Sequence, residues 1–160
     1  AKDNVAAAVG PAGESGARII WAVLWITMGI LWLSPANRAP NSISAALTSA
    51  ASGAPGWLSH VQLGVAGALT GAGATTAVVL AVASFWIGIG PLISRRRTVY
   101  LVLGAALSLD FWVLGQSFGG MLTGMGTDPN AGPLFVLLAL TIFPNTVPAL
   151  RERAKAAVAM

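Results

Sequence analysis

Long apolar stretches that are almost free of charged side chains constrain this chain more than any other feature of its sequence. The clearest of them are Ile19 to Leu33, Thr76 to Ile89 and Leu134 to Phe143. Only 9% of the 160 residues are charged, against about 25% in an ordinary soluble domain. In lipid, backbone groups must be satisfied within helices or closed barrels. We therefore expect an integral membrane protein.

The pattern predicts an all-α fold, a bundle of four transmembrane helices. Their predicted bounds are about residues 19–33, 60–93, 98–117 and 129–143. The second segment far exceeds the roughly 20 residues that cross a bilayer, so it must tilt, kink or begin outside. Asp128 is the predicted N-cap of the fourth helix, with Pro129 at its first position.

A long outer loop, Pro35 to Trp57, is predicted between the first and second helices. It is too polar to span, and Ile43 to Ala50 has the spacing of a short amphipathic helix on the membrane interface.

We divide the chain into a flexible tail (1–15), a transmembrane domain (16–150) and a cytoplasmic tail (151–160).

Basic residues give the expected orientation, because cytoplasmic loops carry an excess of Lys and Arg. The strongest marker is the cluster Arg95, Arg96 and Arg97, which also suits contact with anionic lipids. Arg151 and Arg153 follow the last helix. We expect a multi-pass protein of the plasma (inner) membrane with both termini in the cytoplasm. The net charge of +4 rests on few residues beside apolar segments and does not predict binding to nucleic acid.

Asp110 is the unusual residue of the predicted spans. It lies about 20 Å along the helix from Arg97 at 1.5 Å per residue, beyond the middle of the bilayer. A carboxylate there costs about 2.5 to 3.5 kcal/mol, so it needs a partner, a proton or the bundle interior. Two interpretations stay open: a polar clasp between helices that involves His60, Gln62 and Gln116, with Ser108 and Ser117 contributing, or a proton or cation relay through Asp110 and His60.

The segment before the fourth helix is rich in glycine and short polar residues. It could line a ligand or cation site, but a structural turn with a helix cap is the favoured interpretation, because one carboxylate is few for a hard cation. The candidate residues of this outer loop are Gly119, Gly120, Thr123, Thr127, Asp128 and Asn130.

Small residues recur where helices could approach closely. Such residues let backbones pack in lipid. The predicted helix-packing faces comprise Gly64, Gly67, Gly71, Gly104 and Ser108.

Reactive constellations are not evident in the sequence. Cysteine is absent, and a single His cannot complete a metal site. No Ser-His-Asp spacing, phosphate loop or dinucleotide fingerprint can be assembled, so we expect neither catalysis nor a cofactor. A membrane enzyme acting on lipid or quinone would need a groove lined by Asp110, Gln116 and the glycine-rich loop, and is the least favoured alternative.

The run Trp112-x-x-Gly115-Gln116-x-Phe118-Gly119-Gly120, followed by Thr123-Gly124 and Thr127-Asp128-Pro129-Asn130, resembles small multi-pass proteins of actinobacterial membranes. The layout of a short first helix, a long external loop and a second helix containing Gly88 is also similar to the DoxX-like four-helix proteins. The glycine-rich loop departs from that family. The resemblance implies a four-helix bundle that serves as an accessory subunit beside a larger machine, such as an Mce lipid importer.

The expected function is therefore that of an accessory membrane subunit, stabilising or regulatory, within a larger transport or respiratory complex of the cell envelope. A lipid or solute transport complex is the favoured host. The alternative is a small oligomeric transporter or channel in which Asp110 and His60 handle protons or a cation.

Overall fold

The computed structural model describes residues 13–124, 126 and 130–143, and all regular structure in this part is helical. Six α-helices follow one another: α1 (Gly13–Trp32), α2 (Ser42–Ser52), α3 (Gly56–Ala68), α4 (Gly73–Ile93), α5 (Arg97–Asp110) and α6 (Ala131–Ile142). A π-helical turn, Phe111–Gly115, continues α5, and a short segment, Ser117–Thr123, follows it.

Three helical stretches are long and apolar enough to cross a membrane: Ser15–Trp32, Gly73–Ile93 and Arg97–Gly115. Their outward faces carry large apolar side chains such as Ile19, Val79 and Val102, each about half exposed or more. An apolar exterior on helices of this length marks a membrane protein. The fourth predicted span corresponds to α6, an apolar helix of 12 residues, so the predicted count of four stays a prediction.

The bundle core is aromatic and lies between α1, α4, α5 and α6. Trp21 and Trp25 of α1 are fully buried, with ring centroids 5.6 Å apart, and Phe135 of α6 packs 5.5 Å from Trp25. The Trp21 indole N–H donates a hydrogen bond to the carbonyl of Ile87, 3.0 Å away. This bond joins α1 to α4 inside the core, where a donor without a partner would be costly.

The segment His60 to Ile93, whose length predicts a tilt, a kink or a start outside the bilayer, breaks into α3 and α4. Gly71 has φ +78°, a left-handed conformation that ends helical hydrogen bonding. Its N–H donates to Asn41 Oδ1 at 3.0 Å, and the N–H of Gly73 donates to the Pro40 carbonyl at 2.9 Å. The preceding loop thus fixes the break.

The short helix predicted inside the outer loop is present as α2. It pairs with α3, and this α2–α3 hairpin also contacts α4 and the π-helical turn. The hairpin therefore packs at the end of the bundle where α1 finishes, α4 begins and α5 finishes. The Arg95 to Arg97 corner between α4 and α5 lies at the opposite end.

The predicted cap at Asp128 and Pro129 lies outside the described residues, as do the tail 151–160 and most of the tail 1–15. Helix α6, as described, begins at Ala131, and Asn130 precedes it with φ 64°.

Candidate functional site

A polar clasp joins the α2–α3 hairpin to the end of the third span. Gln62 of α3 is fully buried, and its Nε2 donates to the Leu114 carbonyl at 2.8 Å and to Ser117 Oγ at 2.9 Å. Ser117 Oγ in turn donates to the Ala50 carbonyl of α2 at 3.0 Å. Three segments that are far apart in sequence thus share one hydrogen-bond network.

The clasp includes Gln62 and Ser117 but not the other predicted members. His60 is exposed, and its Nδ1 lies 2.6 Å from the Gly56 carbonyl one turn earlier. Positions 60 and 62 differ by about 200° around a helix of 3.6 residues per turn, so burial of Gln62 directs His60 outward. Gln116 is also exposed, and Ser108 bonds within its own helix, to the Gly104 carbonyl at 2.8 Å.

Asp110, the last residue of α5, makes no hydrogen bond or ion pair with the described residues that would compensate its charge. Asp110 is exposed and is among the residues that line a cavity of about 280 Å³. It also lines an open groove of about 560 Å³ between α4 and α5, together with Ala83, Trp86 and Leu107. Asp110 therefore borders both the cavity and the open groove.

The cavity beside Asp110 lies beneath the α2–α3 hairpin. Its wall is mainly apolar, with Trp32 of α1, Leu80 of α4 and Leu114 of the π-helical turn among its residues. Asn37, Ser42 and Thr76 contribute polar groups, and Asp110 is the charged residue among the described lining residues. Cavities of this kind, mostly apolar with a few polar groups, are typical of small-molecule sites.

Trp32, one of the lining residues, also carries a buried hydrogen-bond donor. Its indole Nε1 has no hydrogen-bond partner in the described part of the chain, and the centroid of its ring lies 5.7 Å from that of Phe111. A buried polar group in this state costs free energy unless something pairs with it. Phe111 belongs to the π-helical turn, and such turns occur frequently at functional sites.

The glycine-rich segment forms a left-handed turn. Ser117, Phe118, Gly119 and Gly120 have φ values of 48°, 57°, 67° and 74° in succession. The Phe118 ring packs 4.9 Å from Trp112 and 6.3 Å from Trp57 of α3. The turn thus holds the hairpin against α5, which agrees with a structural role for this segment.

The polar residues of the predicted outer-loop site lie only partly within the described residues. Thr123 Oγ1 donates to the Gly120 carbonyl at 3.2 Å. Thr127 and Asp128 lie outside the described residues, and no group of three or more His, Cys, Asp or Glu residues that could hold a metal occurs among the described ones.

The glycines of the predicted packing faces differ in how closely other residues surround them. A Cβ at Gly104 would lie 2.8 Å from Ile87 Cγ2 and against the Trp21 ring, so Gly104 and the buried Ser108 form a close-packed face within the chain. Gly64 and Gly67 are exposed, and a Cβ there would meet nothing within 4 Å. Gly71 lies in the break between helices rather than on a helix face.

At the basic corner Arg95 and Arg96 are exposed, while Arg97 is partly buried at the start of α5. The Arg96 N–H donates to Ser94 Oγ at 3.0 Å.

The cavity could not be predicted from the sequence. Trp32 is the last residue of α1, and its proximity to Phe111 and the π-helical turn depends on how α1 meets α5. A run of apolar residues does not show where helical hydrogen bonding changes register.

Comparison of the chain with protein-family models, curated proteins and solved structures finds no match.

Proposed function

We propose that this chain is an accessory integral membrane subunit that stabilises or regulates a larger complex of the cell envelope, of the lipid or solute transport class. The observation that carries the proposal is the open face of α3. This face carries exposed apolar side chains and His60, together with Gly64 and Gly67, at which an added Cβ would meet nothing within 4 Å in the described part of the chain.

The open face of α3 follows from the helical period. Leu58, Gln62 and Ala66 are buried against the rest of the protein. The opposite side presents Trp57 and Val61, which are 60% and 48% exposed, in the same helical stripe as Gly64.

Lipid chains adapt to any apolar helix surface and do not require glycine. A neighbouring helix does benefit from glycine, because close backbone approach increases van der Waals contact in a membrane. Gly64 and Gly67 weaken α3 as a helix by about 1 kcal/mol each relative to alanine. We infer that a partner helix packed here offsets this cost.

The proposal also includes the orientation of the protein in the membrane. The positive-inside rule assigns the Arg95 to Arg97 corner to the cytoplasm, so the α2–α3 hairpin lies at the outer face of the plasma membrane with both termini inside. The resemblance to small actinobacterial membrane proteins supports a host such as an Mce lipid importer, and anionic lipids would contact the basic corner.

The experiment that tests the proposal is purification of the tagged full chain in mild detergent, with quantitative mass spectrometry of the proteins bound to it. We expect subunits of one transport or respiratory complex in a fixed ratio. Gly64→Leu and Gly67→Leu should abolish this association, whereas Ala131→Leu, at an exposed small residue of α6, should retain it. Recovery of the chain alone, or association that survives both glycine variants, would contradict the proposal.

Handling of protons or cations by an oligomer is the second candidate. The observation that favours it is the uncompensated carboxylate of Asp110 within a membrane-spanning helix. No hydrogen bond joins Asp110 to His60, so a relay would need water or a ligand between them. Reconstituted wild type should then show a flux that Asp110→Asn and His60→Ala each abolish, while the accessory proposal predicts none from the isolated chain.

A further inference from the structure

We propose that the cavity beneath the α2–α3 hairpin binds an amphiphilic organic cation, a protonated amine that carries a short apolar chain. The ammonium group would lie at Asp110 and the apolar part among the side chains that line the cavity. This inference is independent of the accessory role, because it concerns a site within the isolated chain.

The first argument is the charge of the cavity. Its described wall contains one carboxylate, Asp110, and no Lys, Arg or His. No side chain in the described part of the protein pairs with this carboxylate. An ammonium ion would form a charge-assisted hydrogen bond with it, which is stronger than a bond between neutral groups.

The second argument separates an organic cation from a metal ion. Hard metal cations take six or more oxygen ligands, whereas this wall has one carboxylate and a few neutral polar groups. Leu69, Leu80 and Leu114 make the remaining wall apolar, and such a surface suits a hydrocarbon chain.

The aromatic side of the cavity adds a third argument. Trp32 and Phe111 pack together in its wall, and tryptophan faces attract cations electrostatically when the cation lies within about 6 Å of the ring centroid. A cation bound at Asp110, which directly precedes Phe111, would lie beside this pair.

Access to the site is available from the side of the bundle. Asp110 borders both the cavity and the open groove between α4 and α5, which Trp86 and Leu103 also line. An amphiphile dissolved in the bilayer could therefore reach the carboxylate laterally, without crossing the α2–α3 hairpin.

The test uses the purified full chain in phosphatidylcholine nanodiscs and three probes with the same apolar chain: n-octylammonium, n-octanol and n-octanoate. Binding is measured by titration calorimetry, with empty nanodiscs as the blank for partition into lipid. We expect n-octylammonium to bind saturably and n-octanoate to show no saturable binding. Any binding of n-octanol should be the same in wild type and in a variant without the Asp110 carboxylate.

The decisive variant is Asp110→Asn, which should weaken n-octylammonium binding at least tenfold. Asp110→Glu keeps the charge and should remain within a few-fold of wild type. Glu14→Gln also removes one carboxylate, 18 positions before Trp32 in the sequence, and should have no effect. Leu80→Phe fills the cavity without changing charge and should also weaken binding at least tenfold.

Circular dichroism and the elution profile establish that each variant is folded. Equal n-octylammonium affinity in wild type and Asp110→Asn would overturn the proposal, as would n-octanol binding as tightly as n-octylammonium. Competitive displacement of n-octylammonium by sodium ions would instead identify an inorganic cation site. If Asp110→Asn does not fold, undiminished binding to folded Leu80→Phe overturns the proposal by itself.

Discussion

At Gly104 the backbone of α5 lies against the buried ring of Trp21, and Ile87 of α4 closes the same space. Trp21 cannot move away freely, because its indole is bonded to the Ile87 carbonyl and its ring packs on Trp25. A single methyl group at position 104 must therefore displace part of the core.

Gly104→Ala should lower the free energy of unfolding by about 1–3 kcal/mol, the usual cost of overpacking. Gly64→Ala is the matched control, since it is also a helical glycine but has open space around it. It should be neutral or stabilising by up to about 1 kcal/mol, through helix propensity alone. Unfolding in a denaturing detergent titration measures both, and equal effects would contradict the assigned packing.

The Ser117 hydroxyl connects two segments of the clasp, because it accepts from Gln62 and donates to the Ala50 carbonyl. Ser117→Ala should cost about 1–3 kcal/mol, since buried groups lose their partners. Ser49→Ala, at an exposed serine of α2, should stay within about 0.5 kcal/mol of wild type. A double-mutant cycle with Gln62→Leu should show coupling, and strict additivity would show that the two side chains do not interact.

Residue types alone predicted part of the clasp and none of its geometry. Gln62 was predicted to form a clasp with Asp110, but in the described part its hydrogen bonds go to Leu114 and Ser117 instead. The sequence could not show that Ser117 and backbone carbonyls would supply the partner, because these contacts join residues more than 50 positions apart. Gly64 and Gly104 looked alike in sequence, and only tertiary structure distinguishes the open glycine from the packed one.

Among the elements, the spans and α2 follow from composition and periodicity, while the irregular segments do not. The length of the predicted second segment indicated that it tilts, kinks or begins outside the bilayer. The break itself is fixed by hydrogen bonds to Pro40 and Asn41, which a local pattern does not contain. The π-helical turn and the left-handed turn also depend on packing between the hairpin and α5.

The left-handed turn gives a prediction at the scale of an element. Gly119 has φ +67°, where a Cβ is unfavourable by about 1–2 kcal/mol, so Gly119→Ala should destabilise the protein by roughly that amount. Gly115→Ala, a few residues earlier, has space for its methyl group and no positive φ, and should be close to neutral. Thermal unfolding followed by circular dichroism compares the two, and identical midpoints would show that this turn does not hold Gly119 in the left-handed conformation.

For the whole molecule, the order of the spans sets which segments share a side of the membrane. Spans Ser15–Trp32 and Gly73–Ile93 flank the α2–α3 hairpin, so the hairpin and the Arg95 to Arg97 corner must lie on opposite sides if both spans cross. The aromatic core between α1 and α4 supports this antiparallel arrangement.

Single cysteines test this topology without background, because the chain contains no Cys. A membrane-impermeant maleimide applied to intact cells stripped of their outer envelope should label Ser49→Cys of α2, which is exposed, but not Arg96→Cys at the basic corner. Permeabilised cells should label both, which shows that each thiol is reactive. Labelling of Arg96→Cys alone in intact cells would reverse the proposed orientation, and labelling of both would mean that Gly73–Ile93 does not cross.

The side of the membrane on which the C-terminus lies decides whether α6 crosses, and a reporter fused after Met160 measures it. With the N-terminus inside, a cytoplasmic reporter requires four crossings, because three crossings would leave the reporter outside.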